Sequence, residues 1–296
     1  MAHKFGTVAL IGKPNVGKST LLNSMVGEKV SIVSNKPQTT RRRVLGILNR
    51  EDCQIAFVDT PGIHTPHTKL SQSMLGQARA ALDNPDLILV VVDGSKHPGE
   101  ADKDIAKMVK ESRGSHPVLV AMNKMDLLKA ENVNDFVELY TELYQADDYM
   151  LTTAIRGVNT DKLLNMILDR LPEGEKMLPE DEFTDQSTRF MSAELVREKI
   201  LIATREEIPH ATAVMIDDWT EEEDLVRIHA TIFVEKASQR GILLGKGGAF
   251  IKKIGTEARK EIEALLGAHI FLELHVKVQE GWRMNPRILH ELEYDA

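Results

Sequence analysis

One octapeptide constrains this chain more than any other feature. Gly12-Lys13-Pro14-Asn15-Val16-Gly17-Lys18-Ser19 fits the pattern G-x-x-x-x-G-K-[ST]. It follows an apolar run at residues 8–11 and opens a helix expected over residues 18–25. A strand that ends in such a loop and resumes as a helix is a phosphate-cradling unit. Its glycines let backbone amides turn inward around phosphate oxygens, and the helix N-terminus adds positive potential. In this arrangement Lys18 reaches the β- and γ-phosphates, the Ser19 hydroxyl binds Mg²⁺, and Thr20 follows in the same turn.

The surrounding pattern agrees. Apolar runs at 8–11, 55–58, 87–92 and 118–122 are each followed by a turn and an amphipathic stretch. Near-continuous apolar runs are what a mostly parallel sheet covered on both faces by helices requires. Residues 44–48 are expected to pair with 55–58 as a hairpin. A last helix, residues 161–171, carries one apolar stripe through Leu163, Leu164, Ile167, Leu168 and Leu171, and Pro172 and Gly174 end it. The longest apolar run has six residues, against the roughly twenty that a membrane-spanning helix needs. The single cysteine, Cys53, excludes an intrachain disulfide. The chain therefore reads as soluble and cytoplasmic.

Phosphate binding does not select a base; Asn123-Lys124-Met125-Asp126 does. It stands at the end of the strand 118–122, where open α/β sheets bind ligands. The Asp126 carboxylate can accept from both N1–H and the 2-amino group of guanine, donors that adenine lacks there. Asn123 braces the loop and the Lys124 stem covers the base. Asp59-Thr60-Pro61-Gly62 draws its value from position, directly after the strand 55–58: Asp59 holds a water of the Mg²⁺ shell and the Gly62 amide senses the γ-phosphate. Between the first two motifs, Pro37-Gln38-Thr39-Thr40-Arg41 lies where a first switch belongs. Thr40, chosen over Thr39, completes the Mg²⁺ shell. Thr153 and Ala154, after a further short strand, are expected to touch the guanine edge through backbone amides.

The second part of the chain has another pattern. Residues 1–173 are expected to form the nucleotide domain, 174–188 an acidic linker, and 189–296 a smaller α+β domain. Ser192 is expected to cap a helix running to about residue 204. Val226, Ile228, Ala230, Ile232 and Val234 alternate with polar residues, and Ile270, Leu272, Leu274, Val276 and Val278 do so again. Between these strands, Gly245-Lys246-Gly247-Gly248 joins two helix-like segments and fits the G-x-x-G loop of a KH domain, which clamps about four nucleotides of single-stranded RNA. The formal net charge of −8 argues against nucleic acid. Its distribution does not. Residues 236–260 carry Lys236, Arg240, Lys246, Lys252, Lys253, Arg259 and Lys260 against Glu257 alone. The expected RNA contacts are residues 245–248, Arg240, Lys252, Lys253 and Arg259. With few aromatics nearby, Ile242, Leu243 and Ile251 are expected as aliphatic groove walls. The acidic run 217–224 is expected as a solvated turn.

Residues 1–171 resemble a translation-factor-type GTPase domain, and the form Gly-x-Pro-Asn-Val-Gly-Lys-Ser with Asp-Thr-Pro-Gly resembles the TrmE-Era-Der branch. The addition of a C-terminal KH domain of type II, the stretch 235–242 leading into the Gly loop, and Trp282-Arg283 resemble the Era family of ribosome-assembly GTPases over nearly the whole chain. The resemblance implies binding near the 3′ end of 16S ribosomal RNA and assistance to 30S subunit assembly. It also implies peripheral association with the inner face of the cell membrane. The chain is taken to be a monomer. Ile63 follows Gly62 where many signalling GTPases carry a water-orienting Gln, so intrinsic hydrolysis of GTP is expected to be slow. In this branch the residue matching Asn15 is associated with K⁺, which implies K⁺-stimulated turnover. Two alternatives stay open: a GTPase that drives RNA modification, and a GTPase switch with a different RNA or a protein or membrane partner.

Overall fold

The computed structural model describes residues 3–294. Two compact units are present. One comprises the chain to Val33, Thr40–His67 and Ser71–Asp185. The other comprises Ser34–Thr39, Thr68–Leu70 and the chain from Gln186 onward.

The first unit is built on six strands: β1 (Lys4–Ile11), β2 (Val44–Asn49), β3 (Cys53–Asp59), β4 (Leu87–Asp93), β5 (Val118–Asn123) and β6 (Asp148–Leu151). Their order is β2-β3-β1-β4-β5-β6. All neighbours are parallel except β2, which pairs antiparallel with β3 as the hairpin expected. The helices are α1 (Lys18–Val26), α2 (Lys69–Ala80), α3 (Glu100–Ser112), α4 (Val133–Tyr144) and α5 (Thr160–Leu168). Why the strands read as unbroken apolar runs is now visible. Val8 and Leu10 of β1 and Leu87, Leu89 and Val91 of β4 pack with α1 and α5 on one face. Their neighbours Ala9, Ile11, Ile88, Val90 and Val92 pack with Ile105 and Val109 of α3 and Phe136 and Tyr140 of α4 on the other. Alternate side chains point to opposite faces, so two covered faces favour apolar residues at successive positions.

The second unit contains α6 (Thr188–Ala203), α7 (Ile208–Ala211), β7 (Ala213–Glu221), β8 (Val226–Val234), α8 (Ala237–Leu244), α9 (Ala249–Leu266), β9 (Ile270–Val278) and α10 (Pro286–Glu291). The sheet order is β7-β8-β9, with β7 antiparallel and β9 parallel to the central strand. Ile228, Ala230, Ile232, Ile270 and Val276 are buried, so the alternation marks one covered face.

Three expectations need correction. Ser187, not Ser192, caps α6, its Oγ accepting from the Phe190 amide at 3.2 Å. Every residue from Phe190 to Leu201 is buried, so no apolar stripe marks where this helix begins. The acidic run is not a turn. Asp217, Asp218 and Glu221 lie within β7, Asp217 at an irregularity between Ile216 and Asp218, and the turn is confined to 222–225. Third, most of the acidic stretch after α5 is not a free linker. The Gln54 side chain, fully buried in β3, accepts from the amides of Met177 and Leu178 at 2.8 Å each and donates to the Leu178 carbonyl at 2.8 Å. The Ile47 amide donates to the Phe183 carbonyl at 2.9 Å, and Gly46 bridges Thr184. Charged side chains face water while the backbone closes the outer edge of β2, a way of blunting an exposed strand.

Candidate nucleotide site and nucleic-acid interface

The expected nucleotide motifs converge where the parallel strands of the first unit end. β1 runs into the Gly loop, β3 ends at Asp59 and β5 at Asn123. The Lys18 ammonium, almost fully buried, donates to the carbonyls of Gly12 and Lys13 at 3.0 Å each. Burial pulls its pKa down to about 8, against the opposing charge of Asp59. Burial in turn pushes the Asp59 carboxyl above its ordinary value, opposed by Lys18 and by bonds from Ser19 and Ser31.

The hydroxyls around Asp59 make a small polar cluster. Ser19 Oγ donates to Asp59 Oδ2 at 2.6 Å and lies 2.9 Å from Thr40 Oγ1; Ser31 Oγ donates to the same carboxylate oxygen at 3.2 Å. Thr39 is turned elsewhere, its hydroxyl on Ser34 and the Lys36 carbonyl. The second oxygen of Asp59 is buried without a well-formed hydrogen bond. The hydroxyls of Ser19 and Thr40 and the Asp59 carboxylate, one of whose oxygens is buried and under-satisfied, are hard donors that fit Mg²⁺. Ser31 and its bond were not anticipated; nothing in the sequence distinguishes it from other loop serines.

Asn123 is the brace of the site. Its Nδ2 donates to the Val16 carbonyl of the Gly loop at 2.8 Å, and its Oδ1 accepts from the Ala154 amide at 2.9 Å. One buried amide thus ties three loops. The approach is close: a Cβ on Gly17, whose φ is +102°, would stand 2.1 Å from Asn123 Nδ2. The Gly62 position is equally tight, since a Cβ there would meet the Pro14 nitrogen at 2.5 Å. Asn15 (φ 62°) and Lys124 (φ 64°) both adopt left-handed backbone. The Lys124 ammonium contacts Asp93 at 3.0 Å, and the Met125 amide donates to the Thr152 carbonyl at 3.2 Å. Asp126 follows, with Arg156 3.9 Å away.

Thr60 and Pro61 are buried behind Gly62; Thr60 Oγ1 donates to the Leu10 carbonyl at 2.7 Å. Ile63 is buried and gives its amide to the Gly12 carbonyl at 3.2 Å. It offers the site no polar side-chain atom. Sequence reasoning also missed Asp102. This carboxylate is 1% exposed, caps α3 through the Gly99 amide at 2.7 Å, and holds the Lys13 ammonium at 2.6 Å. An acid three residues after a glycine at a helix start was its available signal.

In the second unit, α8 ends in Gly245 and α9 begins after Gly248. Gly245, Gly247 and Gly248 all have positive φ, and Lys246 and Gly247 are exposed. Beside this loop, α9 and β9 enclose a groove of about 410 Å³. Ile251, Lys252, Gly255 and Arg259 line it from the helix, and residues 270–274 from the strand. Lys252 and Arg259 thus share one wall. Lys253 points to Glu257 at 3.9 Å, and Arg240 donates to the Val276 carbonyl at 3.2 Å, so neither belongs to the lining. Two expected groove walls are corrected. Leu243 is fully buried, and Ile242 is exposed outside the lining. An aromatic residue, Phe271, lines the groove instead, brought there by the parallel pairing of β9 with β8.

Comparison with known proteins covers both units. A family model described as 50S ribosome-binding GTPase matches residues 7–124, and a KH domain model matches residues 207–283. The GTPase Era of Heliobacterium modesticaldum is 46% identical over 291 residues, covering 98% of this chain and 97% of the relative. That of Ruminiclostridium cellulolyticum is 42% identical, covering 99% and 98%. Among solved structures, Era in complex with MgGDPNP and nucleotides 1506–1542 of 16S ribosomal RNA superposes with a TM-score of 0.93 at 39% identity, over 99% of this chain and all of that one. An Aquifex aeolicus Era variant bound to GDP·AlF4⁻ gives 0.93 at 38%, with the same coverage.

Proposed function

The chain belongs to the Era family of GTPases, and from that premise we propose that it is a GTP-switched RNA-binding factor acting on the 3′ end of 16S ribosomal RNA during 30S subunit assembly. The observation that carries the reading is the pairing of two sites in one chain: a guanine-type nucleotide site in the first unit, and a Gly loop opening onto a cation-lined groove in the second. The chain hydrolyses GTP. Residues 12–20 cradle the phosphates, with Lys18 on the β- and γ-oxygens. Asp126 reads the guanine edge, and Asn123 and the amides of Thr153 and Ala154 hold that edge in place. Ser19, Thr40 and, through water, Asp59 hold Mg²⁺, which offsets charge on the phosphates when bound. Residues 1–173 carry the nucleotide chemistry and 189–296 the RNA binding.

Residues 245–248 clamp the sugar-phosphate backbone because three positive-φ glycines let it approach, and Lys252 and Arg259 supply counter-charge along the groove. This favours RNA over a protein partner. Asn15, beside the phosphates in a left-handed turn, is the K⁺ ligand, and K⁺ substitutes in part for the Gln that Ile63 replaces. Equal GTP turnover in Na⁺ and K⁺ buffers would refute that role.

The reading also makes the protein a cytoplasmic monomer that meets the 30S subunit and touches the inner membrane peripherally; among the described residues no helix is long and apolar enough to cross a membrane. The decisive experiment is RNA crosslinking with sequencing in the GTP- and GDP-bound states. Crosslinks between residues 240–260 and the 3′ end of 16S RNA are expected. Their loss in Gly247→Asp, with intrinsic GTPase activity retained, completes the assignment. Crosslinks elsewhere in the chain, or to no RNA, overturn it.

A further inference from the structure

The α9–β9 groove does not stop at the strand edge. β9 is the outer strand of its sheet, and both of its faces contribute to the lining: Ile270, Leu272 and Leu274 from the helix-covered side, Phe271 and Glu273 from the uncovered side. Phe271 is 44% exposed, the most exposed Phe, Tyr or Trp among the described residues. Its cross-strand partner is Arg227, whose guanidinium lies 5.6 Å from the ring centroid, and the His229 ring stands 6.3 Å away at 60°. Glu273 lies opposite His229, with Oε2 3.0 Å from Nδ1, and Oε1 is 3.4 Å from His275 Nε2.

Resting on the RNA-binding reading above, we propose that Phe271 is a base-stacking platform. It receives one nucleobase of the single strand held by the Gly loop, as that strand leaves the groove across the edge of β9. A cross-strand pair with Arg227 accounts for part of the ring's surroundings, but such a pair is satisfied by a ring packed down on the sheet. Here the residue is 44% exposed and lines a groove.

Charge decides which part of the strand meets the ring. Lys252 and Arg259 on the α9 wall attract phosphates, whereas Glu273 beside the ring repels them. The backbone therefore runs along the helix and a base turns toward the strand. An aromatic face accepts any base, because each has a π-surface. The guanidinium of Arg227, which also donates to Glu222 at 2.8 Å, flanks the stack. The occupant is thus a nucleotide of the clamped RNA, continuous with the groove.

The test is equilibrium binding of the full chain to RNA nucleotides 1506–1542 of 16S ribosomal RNA at several salt concentrations. Phe271→Ala is expected to weaken binding about 5- to 150-fold. The slope of log K against log salt should stay unchanged, since no phosphate contact is lost. Phe271→Leu, which keeps the apolar cross-strand contact, should weaken binding comparably, and Phe271→Tyr should restore it; thermal unfolding confirms that each variant is folded. Placing an abasic nucleotide at each position in turn should locate one at which the Phe271→Ala penalty disappears. If the wild type binds, Gly247→Asp does not, and both Phe271→Ala and Phe271→Leu bind like the wild type, the stacking site is refuted alone. A wild type that fails to bind this RNA refutes the underlying reading and the stacking site with it.

Discussion

Replacing Asn123 by Ala should both destabilise the first unit and loosen its hold on nucleotide. The side chain is 3% exposed and makes two short bonds, to the Val16 carbonyl at 2.8 Å and from the Ala154 amide at 2.9 Å. Val16 and Ala154 are buried as well, at 2% and 5% exposure. Truncation leaves a carbonyl and an amide without partners, and each such loss costs about 1–3 kcal/mol. The sum, about 2–6 kcal/mol, is a large share of a stability of ~5–15 kcal/mol. At about 2–4 °C per kcal/mol for a unit of this size, the midpoint should fall by roughly 4–24 °C.

The same brace is reachable from the loop side. A Cβ at Gly17 would sit 2.1 Å from Asn123 Nδ2, so Gly17→Ala must expel that amide, in addition to straining a residue at φ +102°. The two substitutions therefore share a cause. In a double-mutant cycle their combined effect should be smaller than the sum, because Asn123→Ala removes the atom that the new methyl would strike. Thermal unfolding and GDP binding of wild type, both single variants and the double variant supply the cycle. Strict additivity, or an Asn123→Ala protein that unfolds within ~2 °C of wild type, would show that the three loops do not depend on this residue.

Three further outcomes follow from the same geometry. Asp126→Asn should lower GTP affinity at least about 100-fold, since two charge-assisted hydrogen bonds are lost, and should favour xanthosine triphosphate; unchanged base preference in competition binding would contradict the assignment. Lys18, with its pKa drawn from 10.5 to about 8, leaves the ligand-free fold binding fewer protons than the unfolded chain between those values. That group's burden is full below pH 8 and is relieved as pH rises toward 10.5, so its contribution to stability grows by about 3 kcal/mol across the window. Nucleotide phosphates restore the ammonium, so binding at pH 9 should take up protons. Calorimetry in two buffers of different ionisation enthalpy checks this, and binding without uptake would refute it. Gln54→Ala should release residues 176–184, seen as faster amide exchange there than in β4, because one side chain holds both the Met177 and Leu178 amides.

The nucleotide unit was legible because its signals are local and periodic. A phosphate loop must lie between a strand and a helix, and a doubly covered strand must be apolar throughout; both demands write themselves into adjacent residues. What escaped were partners supplied from far along the chain. Asp102 reaches Lys13 across 89 positions, and Gln54 holds residues 123 and 124 positions away. Neither pairing leaves a pattern in its own neighbourhood. The start of α6 escaped for the opposite reason. A helix buried on all sides, with Glu194, Arg197, Glu198 and Lys199 buried beside its apolar residues, has no division into polar and apolar faces, so a serine inside it looks as much like a cap as the one before it.

Charge and composition misled most where the sheet of the second unit matters. The net charge of −8 is a sum over the chain, and the scarcity of aromatics near the Gly loop describes neighbours in sequence; neither describes neighbours in space. Parallel pairing of β9 with β8 needs a crossover, and that crossover is the pair of helices that presents the Gly loop. The topology therefore carries residues 270–274 back alongside α9, so the helix that follows the Gly loop and a ring at 271 line one groove. Acidic residues of β7 are carried to the opposite edge of the sheet by the same strand order. An RNA strand that follows α9 meets Lys252 and Arg259, while Asp217, Asp218 and Glu221 belong to the far strand and Glu222 of its turn is paired with Arg227 at 2.8 Å. A protein acidic overall can hold a polyanion when its fold, rather than its composition, sorts the charges by edge.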